Sequence, residues 1–562
     1  MKYPDTKLKM NQDALYYIPL GGCGMFGANM SLYGYRDSWI MVDCGLGFAD
    51  GDVPGIEILV PDPAFAAGLG ERLQAIILTH AHEDHIGALQ YLWPRLRAPL
   101  YATPFTAARI RQSLSETGDD ARAQLNIVPL GGTVKVDPFE IQFIKMAHSI
   151  PESSALAIHV PGIGRVLHTG DWKIDPKPVE GQLTDEQSLR QLGEIGVMAV
   201  MGDSTNAMVP GHSGSEHDVR ERLTAIFSQH KKKIILTCFS TNVARLRSIY
   251  EAAHANGRVV CLEGRSLWAV DEAARKTGYL QGVPPFLTID EAGYVDDNKV
   301  VFVCTGSQGE PRAVLNRVSK GEHRDIIINK NDLVIFSSRA IPGNERAVDA
   351  IKNRIYEMGA HVLTDRDDKV HVSGHPYRDE LKTLYGWVKP LAVVPVHGEQ
   401  MQLEKHAELA AACGVKTTII PSNGQVLEIS KKGIASVAAV ASGILAVEGQ
   451  RLIPIDHETI LMRRRAMYNG NVVVTIVLDR HGELTSDPQM TAFGLLDEQD
   501  EKDAKTHQKV ISLIKKSLLG LPESSHYNEN ELKEVIRITV RRFFQAEYER
   551  KPQVRIHLVK VS

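Results

Sequence analysis

No stretch of about 18 consecutive apolar residues occurs in the 562-residue sequence, so no segment reads as a transmembrane helix. The run MKYPDTKLKMNQDALYY at the start lacks the apolar centre of a secretory signal. The expectation is a cytoplasmic protein with no membrane partner. Cysteine is scarce. Cys23, Cys44, Cys238, Cys261, Cys304 and Cys413 stand singly, with no CxxC pair. Cys44, Cys238, Cys261 and Cys304 lie in or beside apolar strand-like runs. They read as buried thiols suited to a reducing compartment. An excess of positive charge is also missing, because the formal net charge is −4. A surface coated in nucleic-acid-binding charge is thereby excluded, whereas a narrow basic groove is not. Internal repeats and low-complexity segments are absent.

What is present is ordinary globular material, 43% hydrophobic and 23% charged, in a chain long enough for two or three domains. The first part reads as short strands broken by glycines: YYIPL, GANMSLYGY, SWIMVDCG, QAIILTH, EIQFIKMAH, ALAIHV, RVLHTGD and GVMAVMGDS. Several of these end on His or Asp, and polar residues gathered at strand ends mark a site in layered α/β folds. From residue 206 the pattern changes. The strands KIILTCF, RVVCL, VVFVC and DLVIFSS alternate with helices near 216–229, 242–256, 265–276 and 343–357, which implies a parallel sheet with helices on its faces. Near 376 the chain returns to the first domain through LAVVPVHGE. The last hundred residues form a further α/β unit. It holds a helix over 501–519 stopped by Gly520, and a second helix capped by Asn528 with Glu531 as capping partner. A buried stripe of Leu532, Val535, Ile536, Thr539 and Phe543 is expected along the second helix. The expected division is 1–205, 206–375, 376–455 and 456–562.

The strongest chemical signal is LTHAHEDHIGAL, which places His80, His82, Asp84 and His85 within six residues. In an extended segment residues two apart point the same way, so His80 and His82 share a face. Asp84 and His85 follow in a turn leading into a helix and can face a second point. Imidazole and carboxylate donors suit Zn2+, with manganese or magnesium as possible assisting ions. One loop cannot complete two sites. His148, Asp171 and His397, each at the end of a strand-like run, are the candidates for the remainder. A lone His at a strand end is more often structural, and it is their joint occurrence that is specific.

HAHEDH resembles the HxHxDH signature of the metallo-β-lactamase superfamily, with Asp43 matching its first motif, His148 its third and Asp171 its fourth. The resemblance implies an αββα sandwich with two metal ions at one edge. His80, His82, His148 and Asp171 would hold one. Asp84, His85, Asp171 and His397 would hold the other, and Asp43 would orient the ligand loop. The stretches around Asp203, His371–His375 and His397 resemble motifs A, B and C of the β-CASP nucleases, which carry an inserted α/β domain. GDSTN, FSTNVAR, TGSQGEP, SSRAIPGNE, HVSGH and PVHGE resemble ribonuclease J over nearly the whole chain. One departure is GGCGMFGANM, where that family more often reads GGLGEIGKNM. The change is expected to leave the metals untouched.

HVSGH, meaning His371, Val372, Ser373, Gly374 and His375, offers imidazoles, a hydroxyl and glycine-exposed amides, which suits a phosphate pocket. Ser240 and Asn242 stand where a helix N-terminus could attract anions, although Ser-Thr-Asn is equally ordinary capping chemistry. The run Lys231–Lys233 reads as a solvated strand entrance. In the expected reaction Asp84 orients water or takes its proton. Asp203 and His375 steady the transition state or protonate the leaving oxygen. The resemblance implies a 5′→3′ exoribonuclease preferring a 5′ monophosphate, also acting internally, in RNA maturation and decay. It further implies self-association as a homodimer or homotetramer and protein partners in RNA decay. The rival readings are a DNA-directed β-CASP nuclease, a thioesterase or lactamase, and a scaffold that binds RNA without cutting it.

Overall fold

The computed structural model describes residues 8, 10–49, 51–341, 343–497, 499–522 and 528–561. Part of the N-terminal run read above for a signal therefore lies outside the described residues. The chain forms two compact units, one of Met1–Phe48 with Ile58–Leu445 and one of Ala49–Glu57 with Ala446–Ser562.

Two large sheets face each other in the first unit. One has eight strands, in the order Gly433–Ala439, Gln425–Ser430, Leu15–Gly21, Met30–Tyr35, Ser38–Val42, Leu73–Ile77, Leu100–Ala102, Leu125–Ile127. The other has seven, in the order Thr417–Thr418, Ala392–Val396, Ala199–Asp203, Gly164–His168, Ser154–Val160, Phe139–Lys145, Thr133–Val136. Period-2 alternation sorts the side chains of a doubly covered strand. In Ser154–Val160, Leu156, Ile158 and Val160 meet Tyr17, Tyr33 and Ile77 of the opposite sheet. Ala155 and Ala157 point the other way, into a second core with Leu189, Leu192, Leu381, Leu384 and Leu409. Those leucines come from helices Glu186–Ile195, Arg378–Val388 and Gln400–Ala412. Behind the eight-stranded sheet, the Trp39 ring meets Phe65 of helix Ala64–Gly68 edge-on at 6.0 Å. The result is the expected αββα sandwich.

Between Asp203 and helix Arg378–Val388 the chain leaves the sandwich. It builds a five-stranded sheet, all parallel, in the order Val259–Glu263, Val300–Cys304, Ile234–Thr237, Leu333–Phe336, His361–Leu363. The four expected helices are Glu216–Gln229, Val243–Ala255, Arg265–Lys276 and Glu345–Glu357. Val219, Leu223 and Ile226 form the buried face of the first. Lys233 differs from the solvated reading. It is buried, donates to the Ile327 carbonyl at 2.9 Å and pairs with Asp297 at 2.8 Å. Cys44, Cys238, Cys261 and Cys304 are buried as expected.

In the second unit, strand Asn471–Leu478 pairs antiparallel with Gln489–Phe493 and parallel with Gln553–Lys560. Helices Glu501–Leu519 and Glu529–Tyr548 share a core with these strands. The Asn528 side chain caps the second helix, accepting from the amides of Asn530 and Glu531. The buried stripe runs through Leu532, Ile536, Val540, Phe543 and Phe544, with Val535 and Thr539 only half-buried. The stripe thus follows strict i, i+4 steps further than the sequence pattern suggested. Among the described residues no helix is long and apolar enough to cross a membrane.

Candidate metal centre

The candidate residues collect where strands of the sandwich end. His80 and His82 follow Leu73–Ile77, His148 follows Phe139–Lys145, Asp171 follows Gly164–His168, Asp203 closes Ala199–Asp203 and His397 follows Ala392–Val396. Asp84 and His85 lie inside a single helical turn, Glu83–Ile86, whose N-cap residue is His82 and which leads into helix Leu89–Leu96, as expected. The turn is held from outside by main-chain bonds. Cys44 N donates to His85 O at 2.8 Å, Leu46 N to Glu83 O at 3.0 Å and Asn29 N to Asp84 O at 3.1 Å. Gly45 has to be glycine here, since a Cβ would stand 1.6 Å from Asp84 O.

Three groups of donor atoms result, each with all atoms within 4.8 Å of one another: His80, His82, His148 and Asp171; Asp84, His85, Asp171 and His397; and Asp171, Asp203, His375 and His397. Asp171 is common to all three. Its Oδ2 lies 3.2 Å from His85 Nε2 and 3.7 Å from His80 Nε2, and its Oδ1 lies 3.6 Å from His397 Nδ1. Oδ1 is buried and has no hydrogen-bond partner, an arrangement that disfavours a carboxylate unless a cation answers it.

The outer nitrogens of the rings fix where the protons lie. Thr79 Oγ1 donates to the Asp43 carboxylate at 2.9 Å, so toward His80 Nδ1, at 3.0 Å, it can only accept. His148 Nδ1 donates to Gly374 O at 2.5 Å. In the neutral rings both Nε2 atoms are therefore bare, and each points at His82 Nδ1 from 3.0 Å. That nitrogen can offer one proton at most, so the three lone pairs lack enough protons to go round. Burial is the largest influence on all three rings and favours their neutral forms; for His82, with Asp84 and Asp171 partly opposing, the pKa falls to about 4. The second cluster is more acidic. His85 Nδ1 donates to Asp43 Oδ2 at 2.7 Å, and its Nε2 faces Asp171 and also Asp84 Oδ2 at 3.5 Å. Burial disfavours a charged His85, but Asp171, Asp84 and Asp43 outweigh it and raise its pKa well above the usual range. His397 is raised in the same way, burial being overcome by Asp171, Asp203 and Asp84. Bare imidazole nitrogens beside a shared buried carboxylate are the donor set that a divalent cation such as zinc takes, and the residues fit such an ion.

Beside the clusters, His375 Nδ1 donates to Asp203 Oδ2 at 2.8 Å. The Asp203 side chain is 0% exposed and that of His375 is 23% exposed. Ser373 Oγ accepts from Asn206 Nδ2 at 2.8 Å, and a Cβ on Gly374 would stand 2.8 Å from His148 Cε1. A cleft runs off from here, lined among others by His148, Lys173, Asn242, Val372 and Ser373. Ser240 and His371 are not among its lining residues. Asn242 accepts from Arg245 N at 2.8 Å, capping helix Val243–Ala255. Asp43, the expected orienting residue, holds both His85 and Thr79.

The sandwich, the inserted parallel sheet and the His/Asp clusters define a metal-dependent hydrolase of the metallo-β-lactamase type, and residues 23–204 match the metallo-beta-lactamase superfamily. Residues 231–355 match the "Ribonuclease J, beta-CASP domain", 359–421 the "Zn-dependent metallo-hydrolase RNA specificity domain" and 458–561 the "Ribonuclease J C-terminal domain". The chain belongs to the ribonuclease J family. It is 41% identical to ribonuclease J of Sinorhizobium meliloti over 100% of both chains. It is 35% identical to that of Mycolicibacterium smegmatis over 95% of both, and 35% identical to that of Corynebacterium glutamicum over 97% of this chain and 76% of the relative. A crystal structure of a protein of unknown function from Enterococcus faecalis superposes with a TM-score of 0.52 at 17% identity. It covers 74% of this chain and 100% of its own, and shows the fold.

Proposed function

We propose that the chain is a ribonuclease that binds two zinc ions and degrades RNA from a 5′-monophosphate end, with internal cleavage as a second mode. The observation that carries this reading is the convergence of bare nitrogens from His80 and His148 on His82, beside the unpartnered Oδ1 of Asp171. His80, His82, His148 and Asp171 would hold one ion, and Asp84, His85, Asp171 and His397 the other. Such ions, when bound, supply Lewis acidity that lowers the pKa of an attacking water and offsets charge building on the phosphate. The rest falls to the chain. Asp84, with its side chain 29% exposed, is placed to orient the water or accept its proton. Asp203 is too deeply enclosed to reach the RNA; it acts through His375, fixing that ring by its Nδ1 so that the half-buried imidazole can donate to the leaving oxygen. Ser373, Gly374 and the Asn242 edge of the cleft are suited to a terminal phosphate, one nucleotide from the ions. The fourfold division at 205, 375 and 455, cytoplasmic residence, self-association and contacts with RNA-decay proteins belong to the same reading.

Metal analysis combined with a time course on RNA labelled at each end in turn tests it. The expected result is two zinc equivalents per chain and mononucleotides released first from the 5′ end. 5′-Monophosphate RNA should be preferred over 5′-triphosphate RNA, and a matched DNA should stay intact. Cleavage of DNA at the same rate, or of a thioester or lactam with RNA untouched, would overturn it.

A further inference from the structure

We infer that Asn423 is a positioning residue for His397, acting through the main chain of Cys23; the inference rests on the proposed role of His397 as a metal ligand. His397 sits with φ +56°, a left-handed conformation that is uncommon for a residue with a Cβ and costs free energy that its surroundings must offset. The surroundings come from the loop after the first strand. His397 N donates to Gly22 O at 2.7 Å, and Gly398 bridges Cys23 in parallel and Met25 in antiparallel fashion. This loop is Gly-rich, with positive φ at Gly22, Gly24 and Gly27. Little within it would fix its course. Asn423 supplies what is missing. Its Oδ1 accepts from Cys23 N at 3.2 Å and its Nδ2 donates to Cys23 O at 3.0 Å. A carboxamide carries a donor and an acceptor side by side, as a peptide group does, so Asn423 pairs with Cys23 as a neighbouring strand would.

Asn423 is itself anchored. Its carbonyl accepts from Ser442 Oγ at 2.9 Å, and Gly424 N donates to Pro19 O at 2.6 Å. The positioning path therefore runs from Asn423 to Cys23, to Gly22 and Gly398, and on to the strained His397. Because the clamp grips only main-chain atoms, it does not depend on the side chain at position 23. Aspartate is isosteric with asparagine but cannot donate, and would set a carboxylate oxygen against Cys23 O. Alanine removes both bonds.

Outer residues that orient ligands typically alter metal affinity by about 10–100-fold, and Asn423 is expected near roughly tenfold, confined to the ion held by His397. The test is zinc content of the full-length holoenzyme after dialysis against a graded chelator series, for wild type, Asn423→Asp, Asn423→Ala and His397→Asn. Circular dichroism melting of the same samples, stripped of metal, accompanies it. The expected result is that both Asn423 variants lose one zinc equivalent at about tenfold lower chelator strength than wild type and keep the other, with unchanged metal-free melting. Wild-type retention of both ions by both variants would overturn the inference, and so would parallel loss of both ions. If His397→Asn itself keeps both ions, the assignment of His397 fails instead, whatever the Asn423 variants do.

Discussion

Two buried charged networks lie within the first unit, and they differ in one respect. Around Asp171, imidazole nitrogens converge without protons to share and a carboxylate oxygen has no partner. Arg245, in the inserted domain, is different: its Nε, Nη1 and Nη2 all have protein acceptors, although Ser338 Oγ and His371 Nδ1, beside its partners in the chain, are buried without a hydrogen bond. The Arg245 side chain is 0% exposed, and it pairs with Glu216 through Nε at 2.6 Å and Nη2 at 2.9 Å. Its Nη1 reaches Ser337 O at 2.6 Å, Ser337 Oγ at 2.7 Å and Val370 O at 3.2 Å. Ser248 Oγ adds a bond to Glu216 at 3.1 Å. A charged network closed by protein partners fixes structure, whereas one left open toward a common point calls for a ligand. Here the closed network ends on Val370, the residue before HVSGH, so the structural knot holds the edge of the functional one.

The sharpest way to break this comparison is His82→Ala. It should abolish the paired zinc site and lower RNA cleavage by at least about 1000-fold, while the metal-free protein melts no earlier than its wild-type counterpart. Full cleavage by the metal-free variant would remove the distinction. Arg245→Met should do the reverse. Leaving Glu216 buried and unpaired costs about 3–5 kcal/mol of stability, seen in denaturant unfolding, while the molecules that remain folded keep their zinc. A smaller closed network gives a test by pH. His406 is partnered by Ser204 Oγ at 2.8 Å and by the Tyr385 hydroxyl. Burial lowers its pKa to about 4, with Asp203 weakly opposing. The unfolded ring titrates near 6.5, so between these values the unfolded chain binds more protons. Stability is therefore complete above about pH 6.5 and falls as the pH drops toward 4, by at most about 3 kcal/mol for this group. His406→Gln should flatten that slope in metal-free unfolding curves. The smallest effect is expected from Asn242→Ala, which removes a helix cap worth about 1 kcal/mol. A rise in KM for 5′-monophosphate RNA, with kcat unchanged, would show that the same carboxamide also meets the substrate.

The residues of the open network were legible in the sequence because strand ends place them. Each follows or closes an apolar run, and a sheet delivers such positions to one edge. Their partners were harder to see. Thr79 bonds Asp43 and His80, Asn29 bonds Asp84 and His85, and Thr205 bonds Asp203 and His397, but a threonine or asparagine in a loop carries no spacing that announces such contacts. Arg245 does carry a signal in the sequence. It sits on the buried face of its helix, in step with Ile249 and Ala252 at i+4 and i+7, and a charge on an apolar stripe asks for a buried counter-ion. Asn423 gave no local sign, since its importance comes from a loop 400 residues away. The run of buried positions in the last helix departed at Val535 and Thr539 because they flank the stripe and stay half-buried, Thr539 Oγ1 bonding Ser517 Oγ of the neighbouring helix at 2.9 Å.

Asp43, like His397, occupies left-handed backbone, with φ +61°. Alanine at either position would therefore confound a missing functional group with a backbone forced to relax, and valine or threonine would do so more severely. Asparagine tolerates that geometry and keeps comparable bulk. For anyone building inactive versions of this enzyme to trap RNA on it, Asp43→Asn and His397→Asn are the replacements that would leave the surrounding chain trace where it is.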